Sequence, residues 1–156
     1  MSLKTATRVA QKKMVATFRW TFADTMEDIN ALLTELGTNV GESVVDGAAI
    51  FEVINQPVNA VVTSGRVHVK TAFDTAGYDI IVGDSGDADR HMATVDAKAA
   101  GVYPFDFASA GGSGYKNVGG LNIRMSIASD DVCTTGEALL VVEYIIEDRA
   151  EELNPN

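Results

Sequence analysis

A chain of 156 residues that is 46% apolar has the length for one domain with a two-layer core and the composition of a globular protein. The whole chain is −10, but Lys4, Arg8, Lys12 and Lys13 give the first thirteen residues +4 with no acid, so residues 14–156 carry −14. That negative body argues against nucleic acid, which needs a positive footprint. The longest apolar run, residues 138–142, is far short of the roughly 20 that span a membrane. No apolar secretory stretch is visible near the start, and a lone Cys133 allows no internal disulfide, so folding in the cytosol is the simplest expectation.

The basic leader, residues 1–13, reads as an extended arm reaching an acidic neighbour, or as a solvated terminus. After it, Met14, Ala16, Phe18, Trp20 and Phe22 alternate with Lys13, Thr17, Arg19 and Thr21. This is the period of a half-buried strand, and core packing is the expected use of its aromatic face. From Thr25 the period changes. Met26, Ile29, Leu33 and Leu36 fall three or four apart, Asp24 or Thr25 is placed to cap, and Gly37 to stop. The spacing predicts a helix over 25–36.

Residues 41–47 form a mostly polar link, and Ala49, Phe51 and Val53 resume a strand that Pro57 interrupts. Two further strands are expected over 58–63 and 66–73, separated by Ser64 and Gly65. Asp74 to Gly77 supplies a turn, and the renewed alternation of Tyr78, Ile80 and Val82 predicts an antiparallel hairpin with the preceding strand. An acidic, Gly-broken loop covers 83–90, then a weaker strand 90–95. The small-residue stretch 99–120 contains a short strand over 102–107 and otherwise reads as a mobile contact loop.

Leu121, Ile123, Met125 and Ile127 alternate cleanly with polar residues, and 139–146 is apolar on both faces apart from Glu143. The latter describes a central, doubly covered strand or one facing a partner subunit. Residues 148–156 are an acidic tail. Eight or nine short strands without βαβ alternation give a mainly β fold: an antiparallel two-sheet β-sandwich over 14–147, a jelly roll as first choice, with one short helix.

Few residues suggest chemistry. Ser85 follows Gly83-Asp84, but a serine nucleophile needs a base held by a third group. Of the two histidines, His68 lies on the strand face of Arg66 and Lys70, and His91 falls six residues from Ser85 in an irregular segment. Asp84, Asp87 and Asp89 offer oxygens to calcium but lack the helix-loop-helix spacing, and acidic turns are common for conformational reasons. Two histidines and one cysteine provide no transition-metal spacing, and no Gly-rich loop sits between strand and helix to cradle a nucleotide. A paired-carboxylate glycosidase stays open, because sequence does not report carboxyl separation. The expected assignment is no catalytic residue, no cofactor and no enzyme. The stripe Arg66, His68 and Lys70, with Arg124 as a further member, is the more useful feature. It is either a patch for an acidic partner, a second copy included, or a solvated face.

The run 61–92 resembles a segment of small virion proteins of tailed bacteriophages, through Thr71-Ala72-Phe73-Asp74, Val82-Gly83-Asp84 and Asp87-Ala88-Asp89-Arg90. The end, Val141-Val142-Glu143-Tyr144-Ile145-Ile146-Glu147-Asp148-Arg149-Ala150, is similar as well. The resemblance implies a capsid decoration (cement) protein, trimeric and bound to the major capsid protein on the virion exterior, made in the host cytoplasm. Contact residues expected on this reading are Lys4, Arg8, Lys12 and Lys13 of the arm and Arg66, His68 and Lys70 of the stripe. The alternatives are a head-fibre or tail-associated receptor- or glycan-binding module, and a small hydrolase.

Overall fold

The computed structural model describes residues 12–37, 49–108 and 111–147. Arm residues 1–11, with Lys4 and Arg8, lie outside them, as do the link 41–47 and the tail 148–156.

Eleven strands follow in order: β1 Met14–Thr21, β2 Thr25–Glu27, β3 Leu33–Glu35, β4 Ala49–Ile54, β5 Ala60–Thr71, β6 Tyr78–Gly83, β7 Met92–Asp96, β8 Gly101–Pro104, β9 Lys116–Asn117, β10 Ile123–Ser129 and β11 Glu137–Ile146. The first sheet runs β1-β11-β5-β8, with β9 also on β5; the second runs β4-β10-β6-β7; β2 and β3 pair with each other. Every pairing is antiparallel. Inward residues of both sheets meet in one apolar cluster, with Trp20, Val67, Val69, Leu140 and Val142 from the first and Phe51, Tyr78, Ile80, Met125 and Ile127 from the second. The fold is therefore mainly β. The alternation read in β1 and in the Arg66–Lys70 stretch of β5 sorts core from exterior as expected, whereas in β6 and β10 the outward Ile81, Ser126 and Ala128 are buried as well.

No helix occurs among the described residues, and the one expected over 25–36 is a hairpin. Thr25↔Glu35, Met26↔Thr34 and Glu27↔Leu33 pair across it. The acids suited to capping a helix close turns instead. One Asp28 Oδ1 accepts the Asn30 and Leu32 amides at 2.8 and 3.0 Å, and the Asp24 carboxylate accepts the Thr21 amide at 2.6 Å. Such local bonds compete directly with the helical ladder. The apolar stripe is covered only in part: Leu36 is buried and Met26 packs on the core, but Leu33 is 78% exposed. A twelve-residue helix without packing is marginal in water, so the hairpin wins. Its turn docks on the second sheet, where the Ile29 amide donates to the Ile50 carbonyl at 2.9 Å.

Two other expectations change. Residues 58–63 and 66–73 are not two strands: β5 runs unbroken through Ser64 and Gly65. A bulge skips Thr63 between the pairs Glu143↔Ser64 and Tyr144↔Val62, and a Cβ on Gly65 would collide with the Phe105 ring that packs there. Nor do β5 and β6 form a hairpin. β5 pairs β11, β8 and β9, while β6 pairs β10 and β7, so the turn 74–77 carries the chain from one sheet to the other. The apolar strand near the end is central in its sheet, between β1 and β5, with Leu140 and Val142 in the core and Leu139 and Val141 on the outer side. Within 99–120, β8 and β9 are ordered on β5, and buried Asn117 donates to Gln56 Oε1 (3.0 Å) and the Leu121 carbonyl (2.8 Å).

Candidate interaction face

Because β1, β5 and β11 alternate, their polar positions converge on the outer side of the first sheet. Register sets the rows: Thr17, Val141, Arg66 and Pro104 lie side by side, as do Arg19, Leu139, His68 and Val102. Lys70 and Arg19 both reach Glu137, at 3.4 and 3.0 Å, and Lys13 reaches Glu143 at 2.9 Å. The Ser64 hydroxyl also donates to Glu143. Both carboxylates are held below the ordinary range, Glu137 first by the Arg19 guanidinium and Glu143 first by Ser64 and then Lys13. Four cations (Lys13, Arg19, Arg66, Lys70) against two carboxylates leave this face at +2 on a chain of −10. Arg66 makes no ion pair among the described residues.

The structure thus brings Arg66, His68 and Lys70 together with Lys13, while Lys12 is exposed just before β1. Arg124 does not join them. It lies on the outer side of the second sheet, and its Nη2 and Nε both donate to Glu52 Oε1, at 2.8 and 3.2 Å. Glu52 is lowered first by the Asn122 amide and then by that guanidinium. The partners missed from sequence are Arg19, Glu137 and Glu143. Their outward positions were readable from the alternation, but their adjacency needs the register of β1 on β11 and of β11 on β5.

The acidic loop is a structural knot. Asp84 and Arg90 are both buried and form an ion pair at 2.6 Å. The remaining capacity of Asp84 is used by the Gly86 and Asp87 amides, at 2.7 and 3.0 Å, and the Arg90 guanidinium lies 3.6 Å over the Tyr115 ring. Asp84 therefore aims its oxygens inward, and no three His, Cys, Asp or Glu side chains gather as a metal site among the described residues. Ser85 is exposed, whereas His91 is buried with its ring stacked on Phe105 and edge-on to Phe107. Burial pushes its pKa down to about 4, and its Nδ1 has no hydrogen-bond partner. A histidine so enclosed is not placed as a base for Ser85. Burial likewise pushes the Cys133 thiol up to about 11, away from reactivity.

At the turn between the sheets, Asp74 accepts the Thr134 and Thr135 amides, at 2.7 and 3.0 Å, and the Thr134 hydroxyl at 2.5 Å. These donors, the hydroxyl first, lower its pKa to about 2. The chemistry of the described polar groups is thus largely internal: they fasten loops to sheets.

No family model matches the chain, and no curated protein matches it. Among solved structures it is similar in fold to a chain of the cyanophage Pam1 capsid asymmetric unit, at 16% identity over 94% of each chain with a TM-score of 0.58. A chain of the capsid of Ralstonia phage GP4 matches at 13% identity, over 94% of this chain and 90% of that one, with a TM-score of 0.49. One of the acidic stable capsid structure of Helicobacter pylori bacteriophage KHP30 matches at 12% identity, over 86% and 92%, with a TM-score of 0.44. The resemblance to phage virion proteins that the sequence suggested is thus met again in the fold shared with the Pam1 chain, which comes from a phage capsid structure.

Proposed function

We propose that this chain is a phage virion structural protein, and within that class a capsid decoration (cement) protein. It binds the outer shell as a homotrimer and stabilises contacts between major capsid proteins. The observation that carries the reading is the fold shared with the Pam1 capsid chain along nearly the whole length of both. The role is structural and not catalytic, consistent with a capsid neighbour and with an enclosed His91 far from a nucleophile's needs.

The strand order supports a jelly roll. Leaving out the small strands, successive elements β1, β4, β5, β6, β7, β8, β10 and β11 fall into sheets ordered β1-β11-β5-β8 and β4-β10-β6-β7. The first and last strands are thus neighbours, and the chain alternates between sheets at most steps, which is how two Greek keys wrap into eight strands. Such a closed, stiff scaffold suits adhesion. The basic leader 1–13 serves as an arm and the +2 face of the first sheet as a contact surface, with 148–156 an acidic tail.

The test is binding to capsid shells assembled without this protein. Full-length protein is expected to co-sediment with such shells and raise their melting temperature. A variant lacking residues 2–13 is expected to fold yet bind weakly. Failure of the full-length protein to bind removes the decoration reading; undiminished binding by the shortened variant removes the arm.

A further inference from the structure

Residues 22–37 carry four acids, Asp24, Glu27, Asp28 and Glu35, and no base. The hairpin they form also leaves Leu32 61% and Leu33 78% exposed. Neither leucine is needed for the turn, which Asp28 builds with Ala31 in the left-handed region at φ 61°. Adjacent leucines held open to water on an acidic hairpin are a contact waiting for a surface. The outer face of the first sheet has the complementary character. It is net positive, with Leu139 at its centre, and Val15 and Val102 are 58% and 56% exposed.

We propose that the β2–β3 hairpin of one copy docks on the outer face of the β1-β11-β5-β8 sheet of a second copy. Leu32 and Leu33 cover the apolar strip of Leu139 and Val102, and the hairpin carboxylates meet Arg66 and Arg19. The hairpin is anchored on β4 of the other sheet, and Leu32, Leu33, Val15 and Val102 are more than half exposed. The contact is head-to-tail: each copy gives a hairpin and receives one, so a closed ring satisfies every copy and a chain of copies leaves one of each free. The proposal rests on the self-association inferred above, and not on shell binding.

Mass by light scattering on full-length protein tests it with two variants, Leu32→Ser/Leu33→Ser in the hairpin and Arg66→Glu/Val102→Asp on the face. Wild type is expected to run as a multiple of 16.5 kDa, and each variant as a monomer with unchanged circular dichroism. Mixed together, the two variants regain one intact contact, the face of the first with the hairpin of the second, and are expected to form a one-to-one pair. A symmetric contact, the same patch on both copies, gives no such complementation. A monomeric wild type, an oligomer that survives either variant, or a mixture that stays monomeric overturns the proposal. Should a double variant melt early, Leu33→Ser and Arg66→Gln carry the same comparison, with at least a tenfold weakening of self-association expected from each. Shell binding of the monomeric variants, measured separately, shows whether the decoration reading stands when this contact is lost.

Discussion

The rings of Phe73 and Tyr78 stack with centroids 3.8 Å apart and 7° between their planes, although one follows a strand of the first sheet and the other opens a strand of the second. The pair makes the corner at which the chain changes sheets. Trp20 continues the stack, its centroid 6.5 Å from that of Phe73. Gly136, at φ 146°, gives the Phe73 ring its space, since a Cβ there would fall on the ring. Phe73→Ala is expected to cost about 3–5 kcal/mol, as for other large buried aromatics. Gly136→Ala should be destabilising too, by clash and backbone strain. Urea unfolding of both variants checks this; a loss under 1 kcal/mol for Phe73→Ala, against the ~3 expected, would remove the corner from the core.

The Tyr78 hydroxyl donates to the Leu36 carbonyl at 2.6 Å and accepts from the Trp20 indole at 3.3 Å, so it ties the hairpin to the core. Burial raises its pKa, keeping it a donor at any ordinary pH. Tyr78→Phe leaves a buried carbonyl and a buried N–H without this partner, a loss of about 1–3 kcal/mol. Amide exchange of Leu36, whose N–H bonds the Asp24 carbonyl at 2.8 Å, should accelerate in the variant relative to amides of β10. Equal acceleration everywhere would show that the bond acts on global stability alone.

Asp84 and Arg90 illustrate a buried pair in which each partner is expensive to remove alone. Asp84→Ala strands the guanidinium and two amides, and Arg90→Met strands the carboxylate, so each is expected to cost about 3–5 kcal/mol. The double variant should lose clearly less than the two singles together. Chemical denaturation of the four proteins closes the cycle, and additive losses would refute coupling between the two.

His91 makes stability fall in mild acid. Its folded pKa of about 4 lies below the ordinary 6.5, chiefly through burial, with Arg90 also lowering it and Asp84 and Asp87 opposing. The unfolded chain therefore binds the proton first. Stability is full above about pH 6.5 and declines as pH falls toward 4, by on the order of 3 kcal/mol. Replacement by Phe, which keeps a ring against Phe105 and Phe107, should flatten melting temperature over that window. Asp74 acts lower still. Its folded pKa of about 2 lies below the ordinary 3.8, so its contribution is present above 3.8 and is lost as pH falls toward 2. Asp74→Asn should therefore leave the slope between pH 4 and 6.5 intact, and a change there would contradict the division between the two groups.

The amino-acid order alone located most of the longer strands and which way their core side chains point, because a period of two is written locally in residues such as Trp20, Val67, Ile80 and Met125. It also marked the last strand as a central one or one facing a partner subunit, since Leu139 and Val141 on one side and Leu140 and Val142 on the other are all apolar. Only the tertiary structure decided what each strand lies beside. The turn 74–77 reads as a hairpin until β11 and β10 are seen to hold β5 and β6 in separate sheets. The segment 25–36 has helical spacing, but only Met26 and Leu36 of that stripe reach the core, and Asp24 and Asp28 bond the amides of turns instead. The cluster on the outer face likewise depends on register: Arg19, Lys70 and Glu137 are remote in sequence and meet because β1 and β5 flank β11. Local pattern fixes direction; neighbours across the sheet, chosen by long-range burial, fix position.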